Sequence, residues 1–190
     1  MKELILKKII FRKRLSLRIF FTCVTLMWAG LLVLLYYQFN DNIDYLNFTV
    51  LLIFFVCVLF STIGIYMSKF FKAYITTANK LSDKEASIFV QQGISRPFAE
   101  RWLPSFIIYQ HKVKFFKLLK QPEYQFVEIK SIQFNRFNFT KSRQDCRITI
   151  QLFDGRKHHY NVNGNLNQRT YLKNEAMAYN TDIIIDDRYA

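Results

Sequence analysis

Two apolar stretches near the N-terminus decide the fold: IFFTCVTLMWAGLLVLLYYQF at residues 19–39 and YLNFTVLLIFFVCVLFSTIGIYM at residues 45–67. Neither contains Lys, Arg or His, and the acidic residues Asp41 and Asp44 stand in the short segment between them. Each stretch is long enough to cross a ~30 Å hydrocarbon core as a helix, which takes ~20 residues. The sequence therefore predicts an integral membrane protein with a transmembrane α-helical hairpin over residues 19–67.

Basic residues predict the orientation of this hairpin. No base stands between the two stretches, whereas Lys69, Lys72 and Lys80 follow the second one. The bases that precede the first stretch are Lys2, Lys7, Lys8, Arg12, Lys13, Arg14 and Arg18. Segments rich in Lys and Arg stay on the cytoplasmic side, so we expect a two-span protein of the cell membrane with both termini in the cytoplasm.

The formal net charge of +13 has two possible explanations. A basic chain can bind nucleic acid, but bases beside membrane spans are explained by topology and by attraction to anionic lipid headgroups. We therefore expect the lipid bilayer as a partner, and no nucleic acid.

Residues 1–18 form a basic segment with an apolar periodicity. Ile5 and Ile9 recur at helical spacing among lysines, which predicts an amphipathic segment at the level of the headgroups. Simple topogenic charge explains the same residues equally well.

Residues 68–104 are expected to link the membrane hairpin to a soluble domain, with one short helix at 83–92. Ser82 and Glu85 have the spacing of a capping box at the start of this helix. Gly93 is expected to end it as a C′ residue.

Residues 105–190 carry the signals of one β-rich (α+β) cytosolic domain. Short runs of aromatic and β-branched residues are typical of strands, and Asp154-Gly155 between two such runs predicts a hairpin with a type I′ turn. A helix is expected at 167–179, and residues 183–185 add an edge strand or staple the end to the core. We expect residues 100–190 to fold without the spans. The expected strands are 106–110, 112–118, 131–140, 147–153 and 156–162.

The sequence contains no recognisable catalytic, cofactor or metal motif. His158 and His159 are adjacent, but consecutive strand residues point to opposite faces of a sheet and cannot bind one ion together. Cys23 and Cys57 lie in the predicted spans and Cys146 stands alone, so no local pair predicts a disulfide. We therefore expect no enzymatic activity, no cofactor and no metal site.

A basic and aromatic stretch is the candidate interaction surface. On a strand, Lys112 and Lys114 share one face while Val113 and Phe115 share the other, so ammonium groups would cover a buried aromatic layer. Such a face attracts anionic lipid where it points at the membrane, although an ordinary solvated face gives the same pattern. The full candidate set for a lipid or partner surface is Lys112, Lys114, Lys117, Lys120, Arg136, Lys141, Arg143 and Arg147.

The layout resembles a known group of proteins. The chain has two spans, a linker, the order strand-strand-turn-strand, a hairpin and a terminal helix, with the run FVEIKSI at residues 126–132 and the turn FDGR at residues 153–156. This layout is similar to that of small bacterial two-span membrane proteins with a C-terminal pleckstrin-homology-like domain. The resemblance implies a half-open barrel with a C-terminal helix, used for docking to protein or lipid and not for chemistry.

Two functions remain in view. The first is a membrane-tethered docking or regulatory module that binds a protein partner or anionic lipid, and whose tether reduces the affinity it needs. The second is an accessory subunit of a membrane assembly, such as a secretion, conjugation or immunity system, with the spans as the interface.

Overall fold

The computed structural model describes residues 1–38, 43–94, 101–136, 145–163 and 166–188. In these residues the chain forms long helices first and a sheet-containing α+β domain afterwards. The helices are α1 (Lys2–Gln38), α2 (Ile43–Lys80), α3 (Asp83–Ile94) and α4 (Leu166–Tyr179). The strands are β1 (Phe106–Tyr109), β2 (Lys112–Phe115), β3 (Glu123–Gln125), β4 (Ile129–Arg136), β5 (Asp145–Leu152), β6 (Lys157–Asn163) and β7 (Ile184–Asp187).

Helices α1 and α2 are long and apolar enough to cross a membrane. They contain 37 and 38 residues, so each is ~55 Å long at ~1.5 Å per residue and exceeds a ~30 Å hydrocarbon core by ~25 Å. The two helices pack against each other, and the ring centres of Phe20 and Phe60 are 5.8 Å apart. A Cβ added at Gly64 would lie 3.5 Å from the Phe20 ring, so the glycine allows close packing there. The predicted turn between them lies mostly outside the described residues.

The extra length of both helices lies at the end that carries the basic residues. Helix α2 continues without a break from the second apolar stretch to Lys80, and α1 includes the basic segment 1–18. The predicted linker therefore begins after Lys80 and not at residue 68, because no Pro or Gly interrupts the helix there. We call residues 1–18 of α1 together with 68–80 of α2 the stalk.

Helix α3 begins as the sequence predicts and ends two residues later. The Ser82 amide donates to Glu85 Oε2 at 2.7 Å, and the Glu85 amide donates to Ser82 Oγ at 3.3 Å, so the capping box is confirmed. Gly93 is not a C′ residue, because it lies inside α3 and lacks a positive φ. A Cβ at Gly93 would lie 3.0 Å from the Arg101 carbonyl oxygen, so close packing explains the glycine.

The described strands form two separate sheets. The first has the order β1-β2-β3 and the second has the order β6-β5-β4-β7. Neighbours are antiparallel except β4 and β7, which are parallel. The sheets do not close on each other through backbone pairing, so the coarse α+β prediction is confirmed and a barrel is not seen.

Several strand predictions need correction in detail. Strand β3 and the 3-10 turn Phe126–Glu128 were not predicted, because Glu123–Gln125 is too short to show a periodicity. Strand β2 ends at Phe115, before the predicted limit of 118, and β4 begins at Ile129 and not at residue 131. The predicted end of β4 at residue 140 lies outside the described residues. Residues 184–187 form the edge strand that was one of two expectations for the C-terminus.

The β5–β6 hairpin turn differs from the sequence prediction. At β5–β6 the Gly155 amide donates to the Leu152 carbonyl and the Leu152 amide to the Arg156 carbonyl. Only Gly155 has a positive φ there, +87°, so the loop is a three-residue turn with a bulge and not type I′. The type I′ geometry occurs instead between β1 and β2, where Gln110 and His111 have φ of 48° and 62°.

Two hydrophobic cores share the first sheet. Phe106, Ile108, Val113 and Phe115 point into a core with the second sheet and α4. The opposite face of β1 enters a second core with the stalk and α3. This second core contains Ile5, Ile9, Tyr74, Ala78, Leu81, Ala86, Phe89, Ile107, Tyr109 and Phe116.

The second core changes the interpretation of residues 1–18. Ile5 and Ile9 are fully buried in protein, so their face is taken up by other elements of the chain and is not available to lipid headgroups. The Phe116 ring stacks on Tyr74 of α2 at 3.7 Å, and the Tyr74 hydroxyl donates to the Pro104 carbonyl at 2.5 Å. The domain is therefore packed on the stalk.

Candidate docking surfaces

Lys112 and Lys114 share a face opposite to Val113 and Phe115, as predicted, and both pair with one carboxylate. The same face carries Ile107 and Tyr109 of the second core. Glu123 on the neighbouring strand lies 3.3 Å from Lys112 Nζ and 3.4 Å from Lys114 Nζ. The Tyr109 hydroxyl donates to the same carboxylate at 2.6 Å. The Lys114 side chain is only 17% exposed, so this face is a partly covered ion-pair cluster.

The electrostatics of this cluster favour a charged Glu123. Partial burial alone would raise the pKa of Glu123, but hydrogen bonds from Tyr109 and Lys112 and the charge of Lys114 outweigh it and lower the pKa below its ordinary value. Burial, followed by the hydrogen bond to Glu123, raises the pKa of Tyr109. Three donors thus converge on one acceptor, and Glu123 neutralises one of the two positive charges of Lys112 and Lys114.

Lys117 and Lys120 occupy a different place, on either side of an exposed turn. The Lys117 amide donates to the Lys120 carbonyl at 3.1 Å, so the chain reverses tightly between them. Leu118 and Leu119 form the tip and are 47% and 66% exposed. We call Lys117-Leu118-Leu119-Lys120 the dileucine turn.

The Lys117 ammonium group is oriented by the domain. Its Nζ donates to the His159 carbonyl at 2.9 Å and lies 4.5 Å from the centre of the Tyr160 ring. Neither partner carries a negative charge, so these contacts do not neutralise the positive charge of Lys117. The turn therefore presents positive charge beside two exposed apolar side chains.

The second predicted basic cluster is not joined to the first in the described residues. Arg147 alternates on β5 with the buried Cys146 and Ile148, so it lies on the outer face of the second sheet. There Arg147 Nε donates to Asn161 Oδ1 at 3.3 Å. The core between the sheets separates Arg147 from Lys112 and Lys114. Arg136 is exposed at the end of β4, and Lys141 and Arg143 lie outside the described residues.

A second exposed apolar patch was missed by the sequence analysis. Val127 and Phe153 are 61% and 59% exposed, and the Phe153 amide donates to the Glu128 carbonyl at 3.1 Å, which holds the two segments together. With Leu152, Asp154 and Arg156 these residues line a recess of about 400 Å³, which we call the domain recess. Pattern analysis places Phe153 at the end of a strand and Val127 in no strand, and it cannot show that they meet at one surface.

Another concave surface lies between the long helices. It has a volume of about 370 Å³, and aromatic side chains of both helices, including Phe20, Trp28 and Phe60, line it together with the small residues Ser61 and Gly64. We call it the interhelical groove. Its position within the predicted spans makes it a surface for apolar partners.

Comparison with known proteins returned no similar chain: no protein-family model, curated protein or solved structure matches this sequence or fold.

Proposed function

We propose that the chain is a membrane-anchored docking module whose domain, related in layout to pleckstrin-homology-like half-open barrels, binds a protein partner or anionic lipid at the cytoplasmic face of a bacterial cell membrane. The observation that carries the proposal is the second core. Packing of Phe116 and Ile107 against Tyr74 and Ile9 fixes the domain on the stalk. A domain held in this way presents the same surfaces to the membrane and to the cytoplasm at all times.

The domain recess is the surface proposed for a protein partner. The turn between β1 and β2 lies at the end of the first sheet away from the spans, because the Gln110 amide bonds Glu85 of α3 and the Lys80 ammonium group lies over the Tyr109 ring. The recess is adjacent, since the Phe126 amide donates to the His111 carbonyl. Exposed apolar side chains rimmed by charged residues are typical of protein-binding sites.

Site-specific photocrosslinking in native membranes tests this function. A photoreactive residue in place of Val127 should form a covalent adduct with another protein, and Phe153→Asp in the same chain should abolish the adduct because it places a charge in the recess. A photoreactive residue at the exposed polar position Lys157 is the matched control. If the Val127 adduct survives Phe153→Asp, the recess is not the binding surface.

The second candidate function, an accessory subunit of a membrane assembly, is favoured by the interhelical groove. Its aromatic walls and small residues fit a transmembrane helix of another subunit. Photoreactive residues at Phe54 and Phe55, which are exposed on α2, distinguish the two functions. Adducts from these positions, with none from Val127, favour the assembly subunit and contradict a docking module that binds a protein partner through the domain recess.

A further inference from the structure

The dileucine turn lies at the end of the domain that faces the spans. Register and contacts establish this direction. Tyr109, paired with Lys112, lies under Lys80 at the far end of α2, whereas Phe116 stacks on Tyr74, nearer the spans. Strand β2 therefore runs along the stalk towards the membrane, and the turn continues in that direction.

The height of the turn can be estimated from Phe116. Two further residues of extended chain advance ~7 Å at ~3.3 Å per residue, and the same distance along α2 is ~4–5 residues at ~1.5 Å per residue. Starting from Tyr74, the tip is level with Lys69, two positions after the second apolar stretch ends at Met67. This is the level at which lysines meet lipid headgroups.

The composition of the turn suits such a location. Leu118 and Leu119 are the exposed tip, and the flanking Lys117 and Lys120 match the negative charge of anionic headgroups. Membrane-binding segments combine these two contributions, buried apolar area and electrostatic attraction to anionic lipid. Lys112 and Lys114 do not take part, because Glu123 pairs with both.

We propose that the dileucine turn inserts Leu118 and Leu119 into the headgroup region of the same bilayer that the helices cross, with Lys117 and Lys120 bound to anionic lipid. The turn is then a third attachment of the chain to the membrane, in addition to α1 and α2. This inference rests on the proposed membrane-anchored docking module and names its lipid ligand.

Fluorescence of a single probe in the full chain tests the insertion. Leu119→Cys, labelled with an environment-sensitive fluorophore in a Cys23→Ser/Cys57→Ser background, is compared with Phe153→Cys, which is similarly exposed in the domain recess. Cys146 can remain, since it is fully buried and burial raises its thiol pKa to about 11, which suppresses labelling. The chain is reconstituted into nanodiscs of phosphatidylcholine with phosphatidylglycerol that carry lipid-attached quenchers.

The probe at residue 119 should be blue-shifted and quenched several-fold more than the probe at residue 153. Omitting phosphatidylglycerol, or introducing Lys117→Gln with Lys120→Gln, should reduce the difference. Equal quenching at the two positions overturns the inference. A probe at residue 119 that is shielded in native membranes but not in nanodiscs also overturns it, because the occupant is then a protein, while the docking function stands. Quenching at residue 119 without any crosslink from Val127 supports the inference, and it contradicts only the protein-binding form of the proposed function.

Discussion

At the scale of single residues, the first sheet contains a shared carboxylate and a turn with two left-handed residues. Glu123 receives hydrogen bonds from three side chains of two strands, Tyr109 of β1 and Lys112 and Lys114 of β2. Gln110 and His111 adopt left-handed backbone conformations that favour glycine or asparagine. Contacts from outside the hairpin support this strained turn, including the edge-to-face packing of His111 on Tyr179 at 4.1 Å.

Replacing Glu123 by Gln should destabilise the chain in a pH-dependent manner. Because the folded pKa of Glu123 is lowered, its stabilisation is complete above the ordinary pKa and is lost as the pH falls through the folded value. At pH 7 we expect a loss of about 1 kcal/mol, typical of partly exposed charged hydrogen bonds. Thermal unfolding of the detergent-solubilised chain should show the variant and the parent converging in acid.

Glu175→Gln is the control of opposite sign. Burial raises the pKa of Glu175, so its charged form costs stability. This cost begins as the pH rises through the ordinary pKa and is complete above the folded pKa. The variant should therefore be more stable than the parent at pH 7, and the gain should vanish in acid. The same direction of change in both variants would contradict this account of the two carboxyls.

The two hairpin turns give a paired prediction about backbone strain. Gln110→Gly should stabilise the chain by about 0.5 kcal/mol, because relief of a left-handed conformation slightly exceeds the entropy cost of glycine. Gly155→Ala should destabilise it by about 1 kcal/mol, although the new Cβ has no neighbour within 4 Å. Unfolding midpoints of the two variants check this, and a neutral Gly155→Ala would contradict it.

At the scale of elements, β1 is the strand shared by both cores. All four of its residues are buried, because the second sheet covers one face and the stalk with α3 covers the other. From the sequence, residues 100–190 are expected to fold without the spans. The structure shows that this excision would expose Ile107, Tyr109 and Phe116 to water.

We therefore expect the excised segment 100–190 to associate in solution. The uncovered apolar face of the first sheet favours self-association, so size-exclusion chromatography should show oligomers. Replacing the face with polar residues, Ile107→Thr with Phe116→Ser, should restore a monomer. Leu119→Ser is the control variant, and it should not restore a monomer. A monomeric unmodified segment would show that the second core is dispensable.

Sequence patterns predicted the elements that have a strong periodicity or a capping signal. The two apolar helices, α3, α4, β1 and the β5–β6 hairpin were all expected near their observed positions. The stalk was not, because the spacing of Ile5 and Ile9 is the same whether their face meets lipid or protein. The pairing of Lys114 with Glu123 was also missed, since it depends on the β2–β3 register.

At the scale of the whole molecule, the second core packs the helices against the domain. The stalk extends the predicted spans by ~25 Å and ends against the first sheet. A change in tilt or rotation of α2 would therefore be transmitted to the dileucine turn and the domain recess together.

The basic residues predict an orientation in the membrane with both termini in the cytoplasm, and this prediction can be tested. In a Cys23→Ser/Cys57→Ser background, a cysteine at Asn167 should react with an impermeant maleimide only after the membrane is opened. A cysteine at Asn42, in the segment between the spans, should react in intact cells. The reverse pattern would place the domain outside and contradict the cytoplasmic assignment.

The second core also sets an order for biogenesis. Ile5 leaves the ribosome before either apolar stretch, whereas Ile107 and Phe116 follow ~100 residues later, which is ~5–20 s at ~5–20 residues per second. During this interval the N-terminal isoleucines lack the β-strand residues that will cover them. Insertion of the hairpin thus precedes closure of the core, and a nascent chain arrested before Phe116 leaves an uncovered apolar surface for chaperones and proteases to recognise.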